Sequence, residues 1–215
     1  MAADPALISI WIKAWAITRG VAPPIPYASG HYVAVGWPDQ LGRYVFSTLD
    51  EKAIRAIGNR HEPWLYLKVC APEAEVRPLL PPRWQIRSTP TCMMIADLTA
   101  IPLELPDTYH LSMAQEGEVL TATIQAGDEL AARGRLVIVE GVAIFDQIRT
   151  QDPHQRRGLG RALMATLTRK ALECDVDFAI LSATAMGRAL YESVGWRWHS
   201  PYTSAVIAGS DTGAP

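Results

Sequence analysis

The stretch that most limits how this chain can fold is HQRRGLGRAL, His154 to Leu163. Before it lies VAIFDQIRT (142–150), rich in strand-forming residues. From Gly158 onward the period turns helical, with Leu159, Ala162, Leu163, Leu167 and Ala171 on one face. The chain must therefore pass from strand to helix through a turn holding two glycines and flanked by Arg156, Arg157 and Arg161. Glycines at such a turn let backbone N–H groups face outward with no Cβ in the way. The first helical turn adds free N–H groups and about half a positive charge. A turn of this kind binds phosphate, and arginine can grip a diphosphate bidentately.

Spacing narrows the phosphate ligand. A mononucleotide P-loop needs G-x-x-x-x-G-K-[ST], and no such lysine is present. A dinucleotide turn needs a third glycine three residues after Gly160, where Leu163 stands. What remains is Gln155-Arg156-Arg157-Gly158-Leu159-Gly160. Alone, this pattern also describes a glycine-rich turn with solvent-facing arginines. It resembles the pyrophosphate loop of the GNAT family, the Gcn5-related N-acetyltransferases that use acetyl-CoA. The neighbouring elements are similar too. VAIFDQIRT precedes the loop as the family's fourth core strand does, and DFAILSA follows the long helix as a strand. ALYESVGW then supplies a tyrosine, Tyr191, four residues before Gly195-Trp196. The resemblance covers residues 110–208.

The resemblance implies a GNAT fold, a mixed and mostly antiparallel sheet flanked by helices in the α/β (α+β) class. An N-terminal α+β extension precedes it. The expected division is residues 1–88 for the extension, either an extra α+β region matching no named family or a degenerate GNAT-like half lacking the phosphate loop; 89–208 for the acetyltransferase domain; and 209–215 for a frayed tail. The proline-rich RPLLPPRW marks the boundary.

The same resemblance assigns the site. Gln155, Arg156, Arg157, Gly158, Leu159 and Gly160, with Arg161 behind them, hold the pyrophosphate. Backbone groups at Ile148, Arg149 and Thr150 pair with the pantetheine arm, where a splay between two strands opens a slot. Tyr191 is the general acid that protonates the departing thiolate; a core tyrosine on an amphipathic helix is the alternative. The base is expected on the fourth strand, nine or eleven residues before Gln155, at Asp146 or Ile144. Ile144 cannot serve, so Asp146 is the candidate; an aspartate that only binds substrate or a nearby arginine is the alternative. Glu140 reads as a turn residue and His110 as structural.

Composition fits a folded protein with a sizeable core rather than a polyanion binder. Of 215 residues 49% are hydrophobic, and 20 basic against 22 acidic side chains leave a net charge of −2. That balance argues against a nucleic-acid partner. The N-terminal MAADPALISIWIKAWAITRG carries Asp4 and Lys13 and is shorter than the ~20 apolar residues of a span. It reads instead as a helix over 5–19, capped by Asp4 and stopped at Gly20, with Trp11 and Trp15 in the core. No membrane partner and a cytoplasmic location are expected. Cys70, Cys92 and Cys174 read as buried reduced thiols, and no metal site is expected. Arg133 and Arg135, flanking Gly134, read as a solvated strand or bulge. One of Trp196 and Trp198 is expected to wall the acceptor pocket.

The function implied is acetyl transfer from acetyl-CoA to a primary amine of a small molecule by direct attack on the thioester. A non-catalytic CoA-binding sensor and a protein lysine or N-terminal acetyltransferase are the alternatives. The sequence leaves open whether the chain works as a homodimer.

Overall fold

The computed structural model describes residues 3–89 and 91–209. The described chain forms two compact units. One holds the chain up to Ala16, Gly20–Met93 and the chain from His199; the other holds Ile17–Arg19 and Met94–Trp198.

Helix α1 (Pro5–Arg19) begins where the Asp4 carboxylate accepts from the Ala6 N–H at 2.9 Å. It ends at Gly20, whose φ of +61° permits a Val21 N–H bond to the Ala16 carbonyl at 3.1 Å. Trp11, Ile12 and Trp15 are buried, and the Arg43 guanidinium lies 3.6 Å over the Trp15 ring. The proline-rich stretch VAPPIPYASG contains strand β1 (Ile25–Tyr27). As an edge strand it tolerates Pro26, which lacks a ladder donor. β2 (Gly30–Trp37) and β3 (Gln40–Phe46) continue the meander antiparallel. Helix α2 (Glu51–Gly58) is capped by Asp50, which accepts from the Ala53 N–H at 3.0 Å. It leads to β4 (Leu65–Val69), parallel to β3. Then come the short helix α3 (Glu73–Val76) and β5 (Trp84–Ile86). Phe46, Ile54, Leu67 and Trp84 centre this unit's core.

Next come β6 (Thr91–Asp97) and a second antiparallel meander: β7 (His110–Glu116), β8 (Val119–Ala126), β9 (Glu129–Val139) and β10 (Val142–Thr150). Glu140 and Gly141, both at positive φ, turn β9 into β10. Helix α4 (Leu159–Glu173) buries Leu159, Ala162, Leu163, Leu167 and Ala171, the face read from the sequence. β11 (Phe178–Thr184), α5 (Ala185–Glu192), β12 (Arg197–Pro201) and β13 (Thr203–Ile207) follow. The seven-stranded sheet has the order β12-β6-β11-β10-β9-β8-β7, and the six-stranded one β1-β2-β3-β4-β13-β5.

The observed division differs from the expected boundary at 88 and from the grouping of 199–208 with the second region. The unit boundaries fall inside β6 and β12, and β13 pairs antiparallel with β4 and β5 of the first unit. Apart from Gly209, the tail 209–215 lies outside the described residues. Cys70 and Cys92 are buried but Cys174, capping the end of α4, is exposed. Burial pushes the Cys70 thiol up to about 12. Arg135 is not solvated: it donates to the Thr18 carbonyl. No helix among the described residues is long and apolar enough to cross a membrane.

Candidate active site

The site begins with a fault in β10. Its ladder with β9 runs regularly to Asp146↔Arg135 and resumes at Arg149↔Arg133. Gln147 and Ile148 thus oppose Gly134 alone, a bulge with Gln147 in the left-handed region at φ +52°. Gly134 makes room for it, because a Cβ there would meet the Ile148 side chain at 2.5 Å. On its other edge β10 pairs with β11 at Ala143↔Ala179 and Ile144↔Ile180. Beyond that the strands part around a cleft of about 800 Å³. Its β10 wall includes Asp146, Ile148, Arg149 and Thr150, and Ser182 and Thr184 face them from β11.

The phosphate turn closes one side. Gln155, Arg156, Gly158, Leu159, Gly160 and Arg161 all line the cleft; Arg157 does not. Arg156 and Gly158 have left-handed φ values of +63° and +81°. Gly158 is the N-cap of α4 and no side chain caps it. The helix ladder opens with the Ala162 N–H bonding the Gly158 carbonyl at 3.0 Å, so the preceding N–H groups lack intrahelical acceptors. A Cβ on Gly158 would enter open space, whereas one on Gly160 would meet the Leu190 side chain at 2.7 Å. The two glycines therefore do different things: Gly158 shapes the turn, and Gly160 lets α4 approach α5.

Helix α5 brings Tyr191. Thr184 caps it, accepting from the Gly187 N–H at 3.2 Å. Gly187 leaves space for the tyrosine ring one turn on, where a Cβ would sit 3.1 Å from it. Gly195, at φ +91°, turns the chain back so that the Trp196 N–H bonds the Tyr191 carbonyl at 3.1 Å. Trp196 packs on Tyr191 and on Phe145, with centroids 6.2 and 5.2 Å apart. Trp196 is thus core, and Trp198 is 41% exposed; neither lines the cleft. Tyr191 is 6% exposed yet lines the cleft. Burial, and to a lesser degree the Asp146 carboxylate, pushes its phenol up to about 12, so it holds its proton at neutral pH.

Asp146 lines the same cleft, but its carboxylate is already engaged. Oδ2 accepts from Arg19 Nη1 and, at 2.6 Å, from the Thr18 hydroxyl. Oδ1 accepts from Arg19 Nη2 at 3.3 Å. This pair is 12% and 17% exposed. His110 and Glu140 are not among the lining residues. Gln147, Asp152 and Met186 line the cleft without having been singled out; Gly134 and Gly187, which shape it, were legible only as isolated glycines inside elements. Among the described residues no group of three or more His, Cys, Asp or Glu side chains could hold a metal ion.

The sequence profile of the acetyltransferase (GNAT) family matches residues 81–196, more than half of the chain. The chain belongs to the GNAT acetyltransferase family. Solved structures share the fold well beyond the profile's span. A GCN5-related N-acetyltransferase from Kribbella flavida is 16% identical at a TM-score of 0.66, the match covering 98% of each chain. A putative GNAT acetyltransferase from Novosphingobium aromaticivorans is 15% identical at 0.62, covering 96% of this chain and 99% of that one. A GCN5-related N-acetyltransferase from Sphaerobacter thermophilus is 12% identical at 0.56, covering 97% and 95%. At such identities the likeness is one of fold, and its coverage takes in both units. No curated protein matches the sequence.

Proposed function

We propose that this GNAT protein is an acetyl-CoA-dependent N-acetyltransferase that acts in the cytoplasm on a primary amine of a small molecule. The observation that carries the reading is the cleft itself. It combines a strand edge freed by the bulge, an uncapped helix start and a buried phenol among its lining groups. The Gly158 turn and Arg156 and Arg161 suit a diphosphate. The freed backbone of Ile148–Thr150 suits an extended amide arm, which would pair with it as a further strand.

Acetyl-CoA supplies an acetyl thioester, and in direct transfer the amine's C–N bond forms as the C–S bond breaks. A backbone N–H at the splay would polarise the carbonyl oxygen. Tyr191 gives its proton to the departing sulfur. A free thiol has a pKa near ~8.5, but burial starves a thiolate of water just as it does the phenolate, which favours transfer inside the cleft. An amine of pKa ~10 must lose a proton before attack. Asp146 is the candidate acceptor from the chain, but its bonds to Arg19 and Thr18 favour a holding role at the bulge, with water in the cleft taking the proton.

The test is release of free CoA thiol from acetyl-CoA with a panel of small amines and short peptides. The reading expects thiol release that depends on at least one small amine. Acetyl-CoA binding with no release across the panel would instead favour the sensor, and release with peptides alone the protein acetyltransferase.

A further inference from the structure

Within the run Gln155–Arg161, Arg157 alone turns away from the cleft. Its Nη1 donates to Tyr109 Oη at 3.2 Å. Tyr109 Oη lies 3.2 Å from His154 Nδ1, and the two rings meet edge to face at 5.7 Å. Both are buried, at 8% and 7% exposure. His154 Nε2 lies 3.3 Å from Glu129 Oε1, within reach of its charge but poorly aligned for a hydrogen bond. Along this chain of contacts the guanidinium can only donate, so the tyrosine oxygen accepts from Arg157 while it shares one proton with His154 Nδ1.

The chain meets the phosphate turn where the turn is strained. Arg156 has a Cβ yet sits at φ +63°, a conformation that does not persist unless its neighbours hold it. On one side Gln155 is tied to Asp152, its Nε2 donating to Oδ1 at 2.8 Å and its N–H to the carbonyl at 3.3 Å. On the other side the tie is Arg157 to Tyr109.

We propose that Arg157 is a positioning residue rather than a phosphate ligand. With the buried Tyr109 and His154 it forms a strut, anchored inside the fold and exposed at its Arg157 end, that holds the turn in the shape presenting Arg156 and Gly158 to the cleft. The inference rests on the reading of the cleft as an acetyl-CoA site. It assigns a task to His154 and Tyr109, which are not among the residues lining the cleft.

The test is calorimetry with acetyl-CoA, together with kcat and KM, on Arg157→Met, Tyr109→Phe and the double variant. Each single substitution should weaken acetyl-CoA binding by about tenfold, the worth of one charge-assisted hydrogen bond, while kcat at saturation is kept. The double variant should be no weaker than the worse single, because both cut the same strut. Part of the loss in Arg157→Met should remain at high salt, because a strut acts through the shape of the turn, whereas the long-range attraction of the exposed Arg157 charge is screened. Arg157→Lys, which keeps a donor for Tyr109, should recover part of the affinity. Losses that multiply in the double variant, or an Arg157→Met loss that fades in high salt while Tyr109→Phe binds normally, would make Arg157 a direct phosphate ligand and overturn the strut. If Tyr109→Phe does not fold, the salt dependence of Arg157→Met and Arg157→Lys decides alone. A folded wild-type chain that fails to bind acetyl-CoA overturns the functional reading, and is told apart because no variant is needed to see it.

Discussion

Each unit carries the same local plan. An antiparallel meander ends in a strand, a helix crosses over, and the next strand returns parallel to the first. In the first unit these are β3, α2 and β4; in the second, β10, α4 and β11. The first pair of strands stays zipped over five consecutive residues, Gly42↔Leu65 to Phe46↔Val69. The second pairs at two positions only, Ala143↔Ala179 and Ile144↔Ile180, and β10 then carries its bulge. The helix starts differ in the same sense. α2 opens on Asp50, whose carboxylate occupies the Ala53 N–H, with Glu51 in the first turn. α4 opens on a glycine with no side-chain cap and no acid in its first turn. That Ala53 bond and the Ser29 hydroxyl, donating at 2.7 Å, hold the Asp50 carboxyl below its usual range, so it stays anionic and repels a phosphate. On the proposed function, one supersecondary plan refuses an anion or receives one, depending on what caps the helix and whether the strands part.

Substitutions in paired positions sharpen this contrast, and the phenols give the largest effect. Tyr191→Phe keeps the ring packed on Trp196 but removes the proton, so turnover should fall by ~10²–10⁴ with the melting temperature little changed. Tyr44→Phe, at a first-unit tyrosine whose phenol is also raised by burial, should leave turnover alone. A folded Tyr191→Phe protein at wild-type rate would remove the acid. Next comes Asp146→Ala, which removes the carboxylate that Arg19 and Thr18 both grip and should lower stability by about 2 kcal/mol in denaturant titrations, the worth of hydrogen bonds to a charged group. If Asp146 only braces the bulge, Asp146→Asn should lower turnover without changing the shape of its pH profile; an altered acid limb would restore the base role. The smallest effect belongs to the first unit. Asp50→Ala should lose about 1 kcal/mol of stability at neutral pH. Because the folded-state carboxyl titrates below its unfolded value, this difference should persist down to about pH 4 and shrink as pH falls further through the folded value.

Much of the fold was legible because it is local. Asp4 and Asp50 as caps, Gly20 as a stop, the Glu140-Gly141 turn and the buried face of α4 each follow from a few neighbouring residues. The phosphate turn was legible for the same reason, since its glycines and the change of period lie within ten residues. What escaped depends on which distant residues meet. The bulge at Gln147 needs Gly134 across the ladder, and periodicity within β10 carries no trace of it. Arg157 reads as a phosphate ligand, and nothing near it in sequence shows that its guanidinium meets Tyr109, 48 residues away. Asp146 reads either as a base or as a partner for substrate or a nearby arginine, and only the fold shows that the arginine is Arg19, 127 residues earlier in the chain. β13 is an obvious strand, but nothing in SAVIA says that it joins β4 and β5 rather than the sheet that precedes it in sequence. Side-chain type and spacing specify elements; register decides which polar groups are left over for chemistry.

The central claim is that the open helix start at Gly158, not the capped one at Asp50, receives the cofactor's phosphates. Calorimetric titration of acetyl-CoA into wild type, Gly158→Val and Asp50→Ala tests it directly. A valine cannot comfortably hold φ +81°, so the turn should rearrange and its N–H groups should no longer converge on a diphosphate. The account predicts one bound acetyl-CoA with equal affinity in wild type and Asp50→Ala. In Gly158→Val, shown to be folded by its unfolding transition, binding should be weakened by more than about tenfold, through loss of several N–H contacts together. Wild-type affinity in folded Gly158→Val would contradict it.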